Sequence, residues 1–300
     1  MNKRTYDLVV LIPGLLCDTA TFQHQIKQFT ALNIPHYVPS VTQHNNITMM
    51  ANQIIKDATS IISPSTTVPR LAISGFSYGG YLALEIARLQ PSILSHFSMI
   101  CSQAREDSSS HTERRLQQIK LVETTGNLSQ VMIQQCKLLL HPSQLPSNYE
   151  DMINQYFLRP EDTFPFTLDS SYLPFRTFVE MGHRVGNQGF ITQQQSIMGR
   201  KNNLPLIETL STLPTMESIS FIRGANDVLI PRKIHTDLVN ICITSQEKLT
   251  TNSKNKASNE TVKLPKIYET EINTCGHMAP IEKPDEVTEA LLQWLNYNEK

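Results

Sequence analysis

Short apolar runs recur along this chain, and amphipathic stretches separate them. The runs at 8–12, 37–41, 71–76, 97–101, 219–222 and 267–272 are too brief for helices and are bounded by turn formers. Several are continuously apolar rather than alternating, the pattern of strands covered on both faces. Between them apolar residues return at helical spacing over 22–32, 49–62, 81–89, 234–243 and 287–295. Alternation of this kind predicts an α/β fold: a mostly parallel sheet of about six strands with helices on both faces.

The alternation stops between Cys101 and Pro214. Helical patterns follow one another there, at 112–125, 128–140, 149–157, 171–183 and 189–198, with breaks at Gly126-Asn127, His141-Pro142 and from Arg159-Pro160 to Pro165. A helical insertion between two strands predicts a cap over the carboxyl ends of the sheet, where open α/β sheets bind ligands. The expected division is a core of 1–102 and 214–300 and a cap of 103–213. The polar stretch 244–263 has few apolar anchors and reads as a flexible loop within the core.

Composition narrows the function classes. The chain has 300 residues, 26 basic and 27 acidic, so its net charge of −1 offers no field for nucleic acid or an anionic membrane. No apolar run is long enough to span a bilayer. Lys3 and Arg4 before the run 8–16 give the outline of a secretory leader, but Pro13-Gly14 interrupts it and no small-residue cleavage site follows. The five cysteines, Cys17, Cys101, Cys136, Cys242 and Cys275, are odd in number and widely spaced. They predict buried free thiols rather than disulfides or a metal site, and a cytoplasmic location.

Candidate chemistry begins at Gly75-Phe76-Ser77-Tyr78-Gly79, which joins an expected strand to an expected helix. Such a turn forces its central serine into strained geometry with Oγ exposed above the sheet. Serine needs a base to take its proton. His277, in Cys275-Gly276-His277-Met278 just past the last run, is the candidate. Asp227, in the loop after the 219–222 strand, is the candidate acid to orient it, and Asp107 after the fourth strand is a rival. An oxyanion needs two preorganised N–H donors. Those of Tyr78 and Leu15 are expected, with Leu16 the neighbouring alternative to Leu15.

On Pro13-Gly14-Leu15-Leu16-Cys17-Asp18, Gly75 to Gly80, the Gly224-to-Asp227 loop and Gly276-His277, the chain resembles the α/β-hydrolase superfamily over nearly its full length. It is most similar to a bacterial esterase-like branch with a helical cap, and Ser196-Ile197-Met198-Gly199-Arg200 fits that branch too. The antiparallel hairpin that usually precedes the Pro13 strand is not expected, which leaves a six-stranded parallel sheet. The resemblance implies a serine hydrolase without cofactor that cleaves a small-molecule acyl substrate through an acyl-enzyme. Hydrolysis of a C–C bond in a diketone-like substrate by the same residues is an alternative, and a non-catalytic binding protein on a hydrolase scaffold is another. Phe157, Phe164, Phe166, Tyr172, Phe175 and Phe178 in the cap are candidate pocket walls, or packing between cap helices.

Overall fold

A computed structural model of the chain describes residues 4–62, 66, 68–159, 164–254 and 263–297. Six strands form one sheet: β1 (Leu8–Ile12), β2 (His36–Tyr37), β3 (Leu71–Phe76), β4 (Leu94–Ile100), β5 (Ser218–Gly224) and β6 (Lys266–Ile272). All pairings are parallel, in the order β2-β1-β3-β4-β5-β6. The chain leaves β1 toward β2 on one side and returns to β3 on the other. The carboxyl ends of β1 and β3 therefore flank the topological switch point, where open α/β sheets place their ligands.

Side chains of β1 alternate into two cores. Val9 and Leu11 point to one, with Phe22, Phe29, Leu291 and Trp294. Leu8, Val10 and Ile12 point to the other, with Met50, Ile54, Leu82 and Leu238. The first face is covered by α1 (Gln23–Ala31) and by two helices near the carboxyl end of the chain, α10 (Ala279–Glu282) and α11 (Pro284–Trp294). The second is covered by α2 (Ile47–Ile61), α3 (Tyr78–Leu89), α8 (Leu204–Leu210) and α9 (Arg232–Lys254). Between β4 and α8 lie α4 (Ser109–Thr125), α5 (Ser129–Leu139), α6 (Tyr149–Phe157) and α7 (Leu173–Met198). No helix among the described residues is long and apolar enough to cross a membrane.

The differences from the sequence expectation have local causes. β2 starts one residue early and ends at Tyr37, because Pro39 has no N–H with which to continue the ladder. β4 starts at Leu94 and buries the polar Ser95 and His96. Burial, with Arg70 and Lys263 nearby, pushes the His96 pKa down to about 3, so it packs as a neutral ring edge-on to Tyr6 and Trp294. α8 has no counterpart in the expected elements. The 244–263 loop is corrected over its first half, since α9 runs on to Lys254. A helix already anchored by Leu238, Val239 and Cys242 adds polar residues at little further cost, because nucleation is the expensive step. Thr250 and Thr251 Oγ1 donate to the carbonyls of Gln246 and Glu247 one turn back. Residues 255–262 of that loop, and 160–163 of the expected break before α7, lie outside the described residues. α7 joins the two helices expected at 171–183 and 189–198, with a non-helical Gly186 (φ 67°, ψ 176°) between them.

Candidate active site

The turn from β3 to α3 is built around two close backbone approaches. A Cβ on Gly75 would stand 2.2 Å from the Gly79 carbonyl oxygen, and one on Gly79 would stand 2.1 Å from that of Ile12. Only glycine fits either place, so the crossing of β1, β3 and α3 dictates both. Ser77 between them adopts φ 51° and ψ −114°, a conformation that costs a non-glycine residue roughly 1–3 kcal/mol. The backbone is held there by Ser77 N–H to the Ile100 carbonyl (2.9 Å) and by Ser102 Oγ–H to the Ser77 carbonyl (2.8 Å).

His277 and Asp227 arrive on two loops that are bonded to one another. After β5, Ala225 and Asn226 N–H donate to the carbonyls of Ile272 and Cys275, both 2.8 Å. The structure brings three of the expected residues together: His277 Nε2 lies 2.8 Å from Ser77 Oγ, and His277 Nδ1 lies 2.8 Å from Asp227 Oδ2. Asp227 Oδ1 also accepts from the N–H groups of Leu229 (2.9 Å) and Ile230 (3.1 Å). Burial alone would raise the Asp227 carboxyl. His277 and the two N–H groups outweigh it and hold the pKa below the ordinary value. An ionised carboxylate only accepts, so the proton sits on Nδ1 and the Nε2 lone pair faces the serine hydroxyl. Cys101 Sγ lies within 4.8 Å of the imidazole and carboxylate atoms of this pair. Its burial and the neighbouring Asp227 push its pKa well up, which leaves a neutral thiol.

Asp107 does not reach His277. Its carboxylate is held by Arg115 Nε (2.6 Å) and Arg200 Nη2 (2.5 Å). Leu15 and Tyr78 both line the cavity above Ser77, and neither N–H has an acceptor among the described residues. Leu16, at φ 58°, donates its N–H to Gln193 Oε1 (2.9 Å) and is thereby occupied.

Two residues escaped the sequence reading. Gln193 is one, since it meets Leu16 across 177 positions and no local pattern marks it. Glu282 is the other. The residue is 7% exposed, and its carboxylate accepts from the N–H groups of Gly276 (3.1 Å), His141 (3.0 Å) and Met278 (3.0 Å). Burial raises the Glu282 pKa, and those three N–H groups and His277 only partly oppose it. The His277 N–H donates to the Leu139 carbonyl (2.7 Å), so the end of α5 is tied to the histidine loop. An acid five positions after the histidine was the available signal.

The cavity has a volume of about 820 Å³. Its apolar wall includes Phe76, Tyr81, Leu138, Leu139, Ile197 and Met278. None of the six aromatic residues expected as walls lines it. Four of them pack against other aromatic rings: Phe164 lies 5.4 Å from Phe166 and 6.1 Å from Phe175, and Phe157 lies 5.8 Å from Tyr156, centroid to centroid.

No protein-family model matches the chain, and a search of curated proteins returns no match. Solved structures do match. An esterase from Thermogutta terrifontis superposes with a TM-score of 0.68 at 16% identity, covering 96% of this chain and 89% of that one. A carboxylesterase structure from Nitrososphaera gargenis gives 0.64 at 13% identity, covering 97% and 90%. The enol-lactonase from Burkholderia xenovorans LB400 gives 0.63 at 11% identity, covering 97% and 92%. At these identities the likeness is one of architecture, and the six parallel strands agree with it: the chain has the α/β-hydrolase fold.

Proposed function

We propose that this protein is a serine hydrolase that cleaves a small carboxylic ester or related acyl substrate through an acyl-enzyme intermediate. The observation that carries the reading is the hydrogen-bonded succession Ser77 Oγ, His277 Nε2, His277 Nδ1, Asp227 Oδ2, with both links at 2.8 Å, at the wall of a cavity. His277 takes the serine proton as Oγ attacks the carbonyl carbon. Asp227, already ionised, stabilises the imidazolium that results. The N–H groups of Leu15 and Tyr78 receive the oxyanion, aided by the positive end of α3. His277 then protonates the leaving alcohol. It next activates a water that releases the acid from Ser77. Each step uses only these residues, the substrate and water.

Residues 103–213 act in this reading as a cap. α4 and α5 already supply lining residues such as His111, Gln118, Gln134 and Leu138. Ser77→Ala is expected to lower turnover of a short p-nitrophenyl ester by about 10³-fold or more, with an unchanged circular-dichroism spectrum. A folded Ser77→Ala protein with wild-type turnover would remove serine from the mechanism.

A further inference from the structure

The cavity beside Ser77 is lined by four basic side chains, Arg114, Arg115, Lys137 and Arg200, and, among the described residues, by no carboxylate. The chain as a whole has a net charge of −1, so this excess is local. Behind the wall, the single carboxylate of Asp107 serves both Arg115 and Arg200, which leaves one positive charge of that set uncompensated. Arg200 is placed with unusual care for a pocket residue. Its side chain is 2% exposed, its Nε donates to the Arg105 carbonyl (2.9 Å), and its guanidinium carbon stands 4.3 Å from the Tyr81 ring centroid. Its Nη1 is buried and has no acceptor among the described residues. A buried donor of this kind is costly unless something fills it. The side-chain amide of Gln135, on the same cavity, makes no hydrogen bond among the described residues.

Resting on the serine hydrolase reading, we propose that the substrate carries a carboxylate group apart from the bond that is cleaved, and that the basic side chains of this wall, Arg200 among them, receive it. A monoanion matches the single excess charge of the Arg115, Asp107 and Arg200 set. An apolar acyl or alcohol group in its place would leave that charge without a counter-ion. Arg114 and Lys137, exposed at the rim and without an ion pair among the described residues, draw the anion in. Arg200 is therefore a specificity-determining residue, and the preferred esters are half-esters or other acid-bearing esters.

The test compares 4-nitrophenyl hydrogen glutarate with its methyl ester, a pair that differ in one charge. Wild-type kcat/KM is expected to favour the acid by about tenfold or more, and salt is expected to narrow the ratio. Arg200→Gln should bring the ratio near one. Because Arg200 also binds Asp107 and the Arg105 carbonyl, the exposed double variant Arg114→Gln/Lys137→Gln provides a second reading. It should narrow the ratio by about threefold and remove most of its salt dependence. A wild-type ratio at or below one, or a ratio that both variants leave untouched, overturns the proposal. If neither ester is hydrolysed, the hydrolase reading fails by itself. Calorimetric binding of the same pair to Ser77→Ala protein then decides the anion site: tighter binding of the acid, lost in the added Arg200→Gln variant, supports it, and equal binding overturns it.

Discussion

Glu282→Gln probes whether the histidine loop is held in place by one buried carboxylate. The two oxygens of Glu282 accept three backbone N–H groups at 3.0–3.1 Å, two on Oε2 and one on Oε1. An amide supplies one oxygen. With that oxygen at the Oε2 position it keeps Gly276 and His141 and turns its own NH₂ group on the Met278 N–H. Flipped, it keeps Met278 alone. At least one hydrogen bond to a charged acceptor is lost, about 1.5–3 kcal/mol, and two donors are brought face to face. Removing a carboxylate whose burial is unfavourable returns part of this, which places the expected net loss near the lower figure, about 1.5 kcal/mol. Urea unfolding measures it as a lower midpoint at unchanged slope. Because Met278 follows His277 directly, loosening its N–H shifts the imidazole relative to Ser77. A misplacement of this kind is expected to lower kcat by about tenfold or more, with a smaller effect on KM. A variant within about 0.5 kcal/mol of wild type and with the same kcat would refute the claim that Glu282 positions the loop.

Two further substitutions address the same pair of loops. Gly224→Ala would place a Cβ 2.0 Å from the Gly276 carbonyl oxygen and 2.5 Å from that of Cys275, so the acid and histidine loops must part. A stability loss of about 1–3 kcal/mol or more and a fall in kcat are expected, read by thermal unfolding and ester turnover, and wild-type behaviour in both would refute the close approach. Asp227→Asn is expected to lower kcat/KM by orders of magnitude, since an amide does not stabilise the imidazolium or fix Nδ1–H as the donor. It should also change the acid limb of stability. The folded pKa of Asp227 lies below its ordinary value of 3.8, so its contribution is complete above pH 3.8 and is lost as pH falls through the folded value. The melting temperature of the asparagine variant should fall less steeply than that of wild type below pH 3.8, and parallel curves would contradict the assignment of an ionised Asp227.

The sheet was legible because the central strands β1, β3, β4 and β5 are buried on both faces, and each of the six expected runs overlaps a strand, that at 37–41 by Tyr37 alone. The juxtaposition of Ser77, Asp227 and His277 was legible for a related reason. Each follows the carboxyl end of a strand, and a parallel sheet aligns those ends on one side. What the sequence hid was polar and distant. Tyr78, Gly79 and Gly80 begin α3 three residues before its apolar periodicity does, since glycine disguises a helix start that the crossing of β1 and β3 requires. His96 reads as polar yet lies in the core as a neutral ring. Of the two roles expected for the aromatics within 103–213, packing holds and wall does not, because residues such as Phe175 and Phe178 carry enough apolar area to bury themselves. The cavity was left to Leu138, Leu139, Tyr81 and the cations of α4 and α5. Periodicity tells which face of a helix is apolar, but not which neighbour that face meets.

Fluorophosphonate labelling of the intact protein, read by mass spectrometry, tests the central claim most directly. If His277 and Asp227 activate the Ser77 hydroxyl, its Oγ bonds to phosphorus as fluoride leaves. Wild type should then gain one phosphonyl group at Ser77, while Ser77→Ala gains none. A wild-type protein that stays unmodified, or an alanine variant labelled to the same extent, would contradict the account.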